Sequence, residues 1–224
     1  WSVSAMIDSD FQVEETMRQC TPSRALRCVA VFLALLAANS LVAASAWAAE
    51  KTAVVSRFSL PDPQGKLHQP SEWQGSKAVV LLFLGTECPI SNGYAPEMAR
   101  LAKEFGARGV LFYGVHCDPD VTAEIARTHA KDYSLPFPLL LDPQQVLARQ
   151  TGAGHTPEAV LLSPTGEVLY RGRIDDRYAA PGKLRVEPTV RDLEDALGAV
   201  LAGGKPKLRE TRAVGCPLPR PLSR

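Results

Sequence analysis

"AVVLLFLGTECPIS", residues 78–91, decides the fold. Seven consecutive apolar residues, Ala78 to Leu84, predict a strand buried on both faces, because a strand with one wet face would alternate apolar and polar side chains. Such a strand needs covering on each side and so points to an α/β domain. Directly after it come Gly85, Thr86 and Glu87, then Cys88, Pro89 and, three positions past the cysteine, Ser91. The continuation "PISNGYAPEMARLAKEFGARG" carries Met98, Leu101, Ala102 and Phe105 at helical spacing, with Gly106 where the helix stops. Cys88 therefore stands at a strand-to-helix junction, where free backbone N–H groups and the positive end of the helix favour a thiolate.

Further along, "VLFYGVHC" predicts a second buried strand ending at Cys117. "DPDVTAEIARTHAKDY" predicts a helix capped by aspartate with Val121, Ile125 and Ala126 on one face. "FPLLLD" reads as a short strand, "PQQVLARQTG" as a short helix, and "EAVLLSPTGEVLYRGRI" as a hairpin turning at proline and glycine. "TVRDLEDALGAVLAGG" predicts a last helix opened by a capping box of Thr189 and Asp192, with Val190, Leu193, Leu197, Val200 and Leu201 on one face. His68 and His129 fall in a polar loop and on a helix face and are read as solvated.

The first residues do not belong to this domain. From Met17 the chain has arginines at 18, 24 and 27, an apolar stretch from Cys28 to about Val42, and "AWA" ending at Ala48, the pattern of a secretory signal peptide over 17–48. The apolar core is shorter than the roughly 20 residues a spanning helix needs, so no stable membrane insertion is expected once the signal is cleaved. The destination is the periplasm or the extracellular space. Residues 1–16 are polar, precede the arginines, and are read as a non-native or disordered upstream segment with Met17 as the start. The domain occupies 49–204 and a basic, proline-rich, extended tail 205–224. A net charge of +1 gives no reason to expect a nucleic acid partner. Cleavage leaves Cys88, Cys117 and Cys216, an odd number for an oxidising compartment, which points to redox chemistry rather than to a purely structural framework.

"FLGTECPISNGYAPEM" resembles the active-site segment of thioredoxin-like proteins, and "GHTPEAVLLSPTGEVLYRGRIDD" is similar to the segment that follows in the redoxins of AhpC/TSA type and in cytochrome-maturation thioredoxins. The likeness spans about residues 53–202. It implies a thioredoxin-like fold, a central mixed β-sheet flanked by helices, and exchange of disulfides with protein or small-molecule thiols through Cys88, without a cofactor. It also implies that Pro96 kinks the active-site helix and that Thr156–Pro157 is a cis bond. Thr156 would then face the catalytic sulfur and offer backbone hydrogen bonds to a substrate chain, with Pro89 and Glu87 flanking it. Two departures stand out. Ser91 replaces the usual second cysteine, and Glu87, where tryptophan is usual, brings a carboxylate that opposes ionisation of Cys88.

A lone thiolate opens a disulfide but needs a second thiol to release the product. Cys216 on a mobile tail, Cys117 at the neighbouring strand end, or an external thiol are the candidates; Cys117 also reads as a small buried residue. Two other functions compete. A peroxidase would want a threonine and a proline where this chain has Gly85 and Leu81, with Arg171 or Arg173 supplying charge. A copper carrier would join Cys88 to His116 or His155, but Asn92 stands where that pattern has its second cysteine. A permanent Cys88–Cys216 staple in a binding module is a further alternative.

Overall fold

In the computed structural model, which describes residues 53–219, two short strands, β1 (Leu60–Pro61) and β2 (Leu67–His68), pair around a turn held by the Asp62 carboxylate, and a 3-10 turn follows at Pro70–Trp73. The signal peptide and upstream segment expected over 1–48 lie outside the described residues. Strand β3 (Ala78–Leu84) is buried at every position. Each of its larger side chains contributes roughly 1.5–3 kcal/mol over an exposed position. Helix α1 (Pro89–Gly93) and helix α2 (Ala95–Gly106) follow, separated at Tyr94, with Pro96 in the first turn of α2, where a missing N–H costs least.

The chain then runs through β4 (Val110–His116), α3 (Ala123–Asp132), β5 (Leu139–Leu141) and α4 (Val146–Thr151). The short β6 (His155–Thr156) leads across Pro157 into β7 (Glu158–Leu162), and β8 (Val168–Gly172) returns beside it. A second small hairpin, β9 (Tyr178–Ala180) with β10 (Lys183–Leu184), precedes α5 (Asp192–Leu201), and β11 (Cys216–Pro217) lies in the tail. The main sheet has the order β5-β4-β3-β7-β8, with β3, β4 and β5 parallel and β7 and β8 antiparallel. This mixed sheet with helices on its faces is the expected thioredoxin-like fold.

Period-two alternation along β3 sends Ala78, Val80, Leu82 and Leu84 to one core and Val79, Leu81 and Phe83 to the other. The first core takes α2, through Met98, Leu101 and Phe105, and α5, through Leu193, Ala196 and Leu197. The second is closed by Phe58, Trp73 and Leu147.

Several local expectations are corrected. The cap of α3 is the Thr122 hydroxyl, not an aspartate, and Ile125 points to solvent at 43% exposure. The capping box of α5 does not form: Thr189 bonds the Asp176 carboxylate, and Asp192 is buried in an ion pair with Arg173 at 2.6 Å. At α3 the hydroxyl next to the helix start is the better-placed local cap, and at α5 tertiary partners outcompete the capping box. Neither His68 nor His129 is solvated. His68 is held between Asp62 and Glu72, at 3.1 and 2.7 Å, edge-on to Tyr113. His129 is buried against His116, with ring centroids 5.1 Å apart.

His116, at the end of β4, is 1% exposed, and neither ring nitrogen finds a hydrogen-bond partner. Burial first, and repulsion from His129 second, lower its pKa from 6.5 to about 4. Between those two values the unfolded chain binds a proton that the folded chain refuses, so stability is full above the upper value and falls as pH drops towards the lower. The full effect is roughly 3 kcal/mol. Urea-unfolding free energies measured across this window should fall less steeply with acid in His116→Leu than in the unmodified chain; equal slopes would refute this account.

Candidate active site

Gly85, Thr86 and Glu87 carry the chain off the end of β3, and Cys88 takes the position that caps α1. Its sulfur accepts the Ser91 N–H at 3.5 Å and, as a thiol, donates to the Thr156 carbonyl at 3.0 Å. Gly85 is required by close approach: a Cβ there would stand 2.8 Å from the Thr156 hydroxyl and 3.1 Å from the Cys88 Cβ. Ser91 is buried, and its hydroxyl accepts the Gly85 N–H at 3.3 Å, so the residue at the usual second-cysteine position holds the loop in shape. Asn92 ties the same loop to α3, donating to the Thr86 carbonyl at 2.8 Å and meeting His129 Nε2 at 2.9 Å.

Thr156–Pro157 is a cis bond, and β6 ends beside the Cys88 sulfur. Glu158, buried at 5% exposure, accepts the N–H groups of Gly154 and His155 at 2.7 and 3.0 Å and so holds the approach to that bond. The tail is docked rather than mobile. Arg209 and Thr211 bond the Arg171 backbone along the outer edge of β8, at 2.9 and 3.0 Å. The chain then crosses to the active-site edge, where β11 pairs antiparallel with β6 in the register Cys216 to Thr156 and Pro217 to His155. Leu218 N–H continues the pairing to the Gly154 carbonyl at 2.9 Å. Gln145, in the left-handed region at φ 53°, donates to the Pro219 carbonyl and anchors the far end.

Docking sets Cys216 against Cys88. Burial raises the Cys88 thiol, but the Cys216 thiol, the N–H groups of Ser91 and Cys216 and the Thr156 hydroxyl all stabilise its anion, and the balance lies below the ordinary thiol value. Cys216, facing the Cys88 sulfur and partly buried, is pushed up to about 11. Cys88 is the first of the pair to ionise.

The other sequence candidates fall differently. Glu87 and Pro89 are exposed on the rim, and Glu87 is not among the groups that set the Cys88 ionisation. Cys117 follows His116 along β4 and packs in the opposite core from Cys88, next to Asp142. Burial, then the Asp142 charge, push its thiol upward. Arg171 pairs with Glu158 and Glu210, and Arg173 with Asp192. Among the described residues, His116, His155 and Cys88 do not gather with another ligand into a metal cluster. Glu158, Gly215 and Gln145 escaped the sequence reading, and Asn92 was read only as a missing copper ligand, not as the tie between the Cys88 loop and α3; the three-residue step from His155 to Glu158 was the one local signal available.

A cysteine capping the first helix after the central strand, faced by a cis-proline loop, defines a thioredoxin-fold thiol protein. The family profile of AhpC/TSA matches residues 52–171, more than half of the chain, and the chain belongs to that family. Thiol-disulfide oxidoreductase ResA of Geobacillus kaustophilus is 31% identical over 145 residues, covering 62% of this chain and 81% of its own. Among solved structures, a hypothetical protein of Sinorhizobium meliloti 1021 superposes with a TM-score of 0.67 and 27% identity, covering 75% of this chain and 92% of that one. Peroxidoxin BcpB of Mycobacterium tuberculosis shares the fold, with a TM-score of 0.50 and 22% identity over 68% of this chain and 96% of its own.

A Cβ on Gly215 would collide with the Thr156 carbonyl, so Gly215→Ala should release β11 from β6. Cys88 then loses the Cys216 thiol and N–H donors, which favour its anion, together with the cover of the tail, which disfavours it. Alkylation of Cys88 against pH, read by peptide mapping, should show the midpoint displaced; an unchanged midpoint would mean that the tail does not tune this thiol.

Proposed function

We propose that the chain is a thiol-disulfide oxidoreductase whose redox centre is the Cys88–Cys216 pair. The observation that carries this reading is the β11–β6 pairing, which sets a second cysteine against Cys88 where the C-P-I-S segment has none. In the reducing direction a protein thiolate attacks a substrate disulfide and forms a mixed disulfide, and the second protein thiol attacks the protein sulfur and expels the substrate as a dithiol. The Cys88–Cys216 bond that forms stores the oxidation, and the reverse sequence oxidises a dithiol. Which direction prevails depends on the reduction potential against the compartment. Ser91, Thr156, Pro157, Pro89 and Glu87 frame the reaction without exchanging electrons, and Cys117 stays outside it.

Substrates of this reading are thiols and disulfides of proteins or small molecules, and no cofactor is needed. The ResA relatives bear the name of the same activity, and AhpC/TSA membership supports it. We assign residues 49–204 to the catalytic domain and 205–224 to its redox arm. Export to the periplasm or the extracellular space rests on the signal-peptide pattern over 17–48; among the described residues no helix is long and apolar enough to cross a membrane. Peroxide reduction ranks second, because Arg171 and Arg173 are committed to carboxylates.

Cys88→Ser and Cys216→Ser should each bring steady-state reduction of a protein disulfide to background with the far-ultraviolet circular dichroism preserved. Cys117→Ala should stay close to the unmodified rate. Full turnover in Cys216→Ser would remove the tail from the mechanism, and faster turnover of hydrogen peroxide than of disulfides in the unmodified chain would favour the peroxidase.

A further inference from the structure

The two sulfurs of the pair are not equally reachable. Cys88 is 4% exposed, part of the core on its face of the sheet, and meets the thiol and N–H of Cys216 itself. Cys216 is partly exposed at the edge of β11. A cavity of about 200 Å³ ends at the residue before it, lined by His155 from the partner strand, by Ala179, Ala180 and Pro181, and by Arg212 to Gly215 from the tail. Arg212 is exposed and makes no ion pair among the described residues, so it draws thiolates towards this side.

We infer that Cys216, not Cys88, is the sulfur that exchanges with the external partner, and that Cys88 is the internal thiolate that it releases and recaptures. This rests on the disulfide-exchange reading above. In the oxidised protein an incoming thiolate attacks the Cys216 sulfur. A substrate–Cys216 bond forms as the Cys88–Cys216 bond breaks, and the electron pair leaves on Cys88. The second thiolate of the substrate then attacks the substrate sulfur of that mixed disulfide. It closes the substrate disulfide and expels Cys216, which takes up a proton from water. The substrate dithiol loses two electrons and the protein disulfide gains them. In the opposite direction Cys216 opens the substrate disulfide and Cys88 resolves it.

The ionisation order agrees with these roles. A disulfide breaks towards the thiol of lower pKa, because that sulfur leaves faster, and the donors around Cys88 are already in place to receive the charge. The usual order of the fold is thereby inverted: the cysteine at the helix start is the inner one, and the outer one arrives on the tail.

The test oxidises the full chain, establishes the Cys88–Cys216 bond by non-reducing peptide mapping, adds reduced glutathione, quenches with acid and blocks free thiols before mapping. The expected result is glutathione on Cys216 with Cys88 free, in at least about tenfold excess over the reverse adduct. Equal or greater glutathione on Cys88 overturns the inference and leaves the oxidoreductase reading standing. Failure of the Cys88–Cys216 bond to form under oxidation overturns both, and is seen before glutathione is added. In Gly215→Ala, with the tail released, the preference should move towards parity in whatever oxidised protein forms; an unchanged ratio would show that burial is not its cause.

Discussion

Everything at the active site depends on one strand being buried on both faces and paired on both edges. β3 takes β4 as a parallel neighbour and β7 as an antiparallel one. Because β7 runs against β3, its start lies beside the end of β3. Cys88, just past Leu84, and Thr156, just before the cis-proline, are therefore brought together by the pairing of Phe83 with Glu158. No loop has to be steered across the sheet. The short approach tolerates no side chain at Gly85, and the serine of C-P-I-S is used to hold that turn.

The same edge is where the tail comes to rest. β6 leaves backbone groups to be paired, and a buried edge without partners is costly. β11 fills part of it, and by doing so brings the Cys216 thiol and N–H to Cys88 as donors. Tail docking, thiolate stabilisation and closure over Cys88 are thus one event. A change that releases β11 alters the chemistry and the accessibility of Cys88 together, which distinguishes this arrangement from a C-x-x-C site whose two sulfurs sit on one helix.

The elements predicted from periodicity formed where expected, because their signals are local: the apolar run of β3, the helical spacing of Met98, Leu101 and Phe105, and the turn residues between β7 and β8. The misreadings were of another kind. His129 and His68 looked solvated because their sequence neighbours are polar, yet His129 is buried against His116 and Asn92, and His68 is clamped by Asp62 and Glu72 against Tyr113. Thr189 and Asp192 had the spacing of a capping box, but Asp176 and Arg173 held them more strongly. Glu87 was assigned an electrostatic influence from adjacency, although its side chain faces solvent. Of the two readings offered for Cys117, the structure bears out the small buried residue: it packs in the other core from Cys88.

By itself the sequence determined the fold class, the position of Cys88 at the start of a helix, the Thr156–Pro157 element and the absence of a second cysteine in C-P-I-S. These follow from patterns a few residues long, whose physics is that of a strand, a helix start or a turn. The tertiary structure alone decided which cysteine meets Cys88 and which sulfur remains reachable. The tail has no periodicity to read, and its conformation is set by a strand edge that exists only after β6 and β7 have folded against β3.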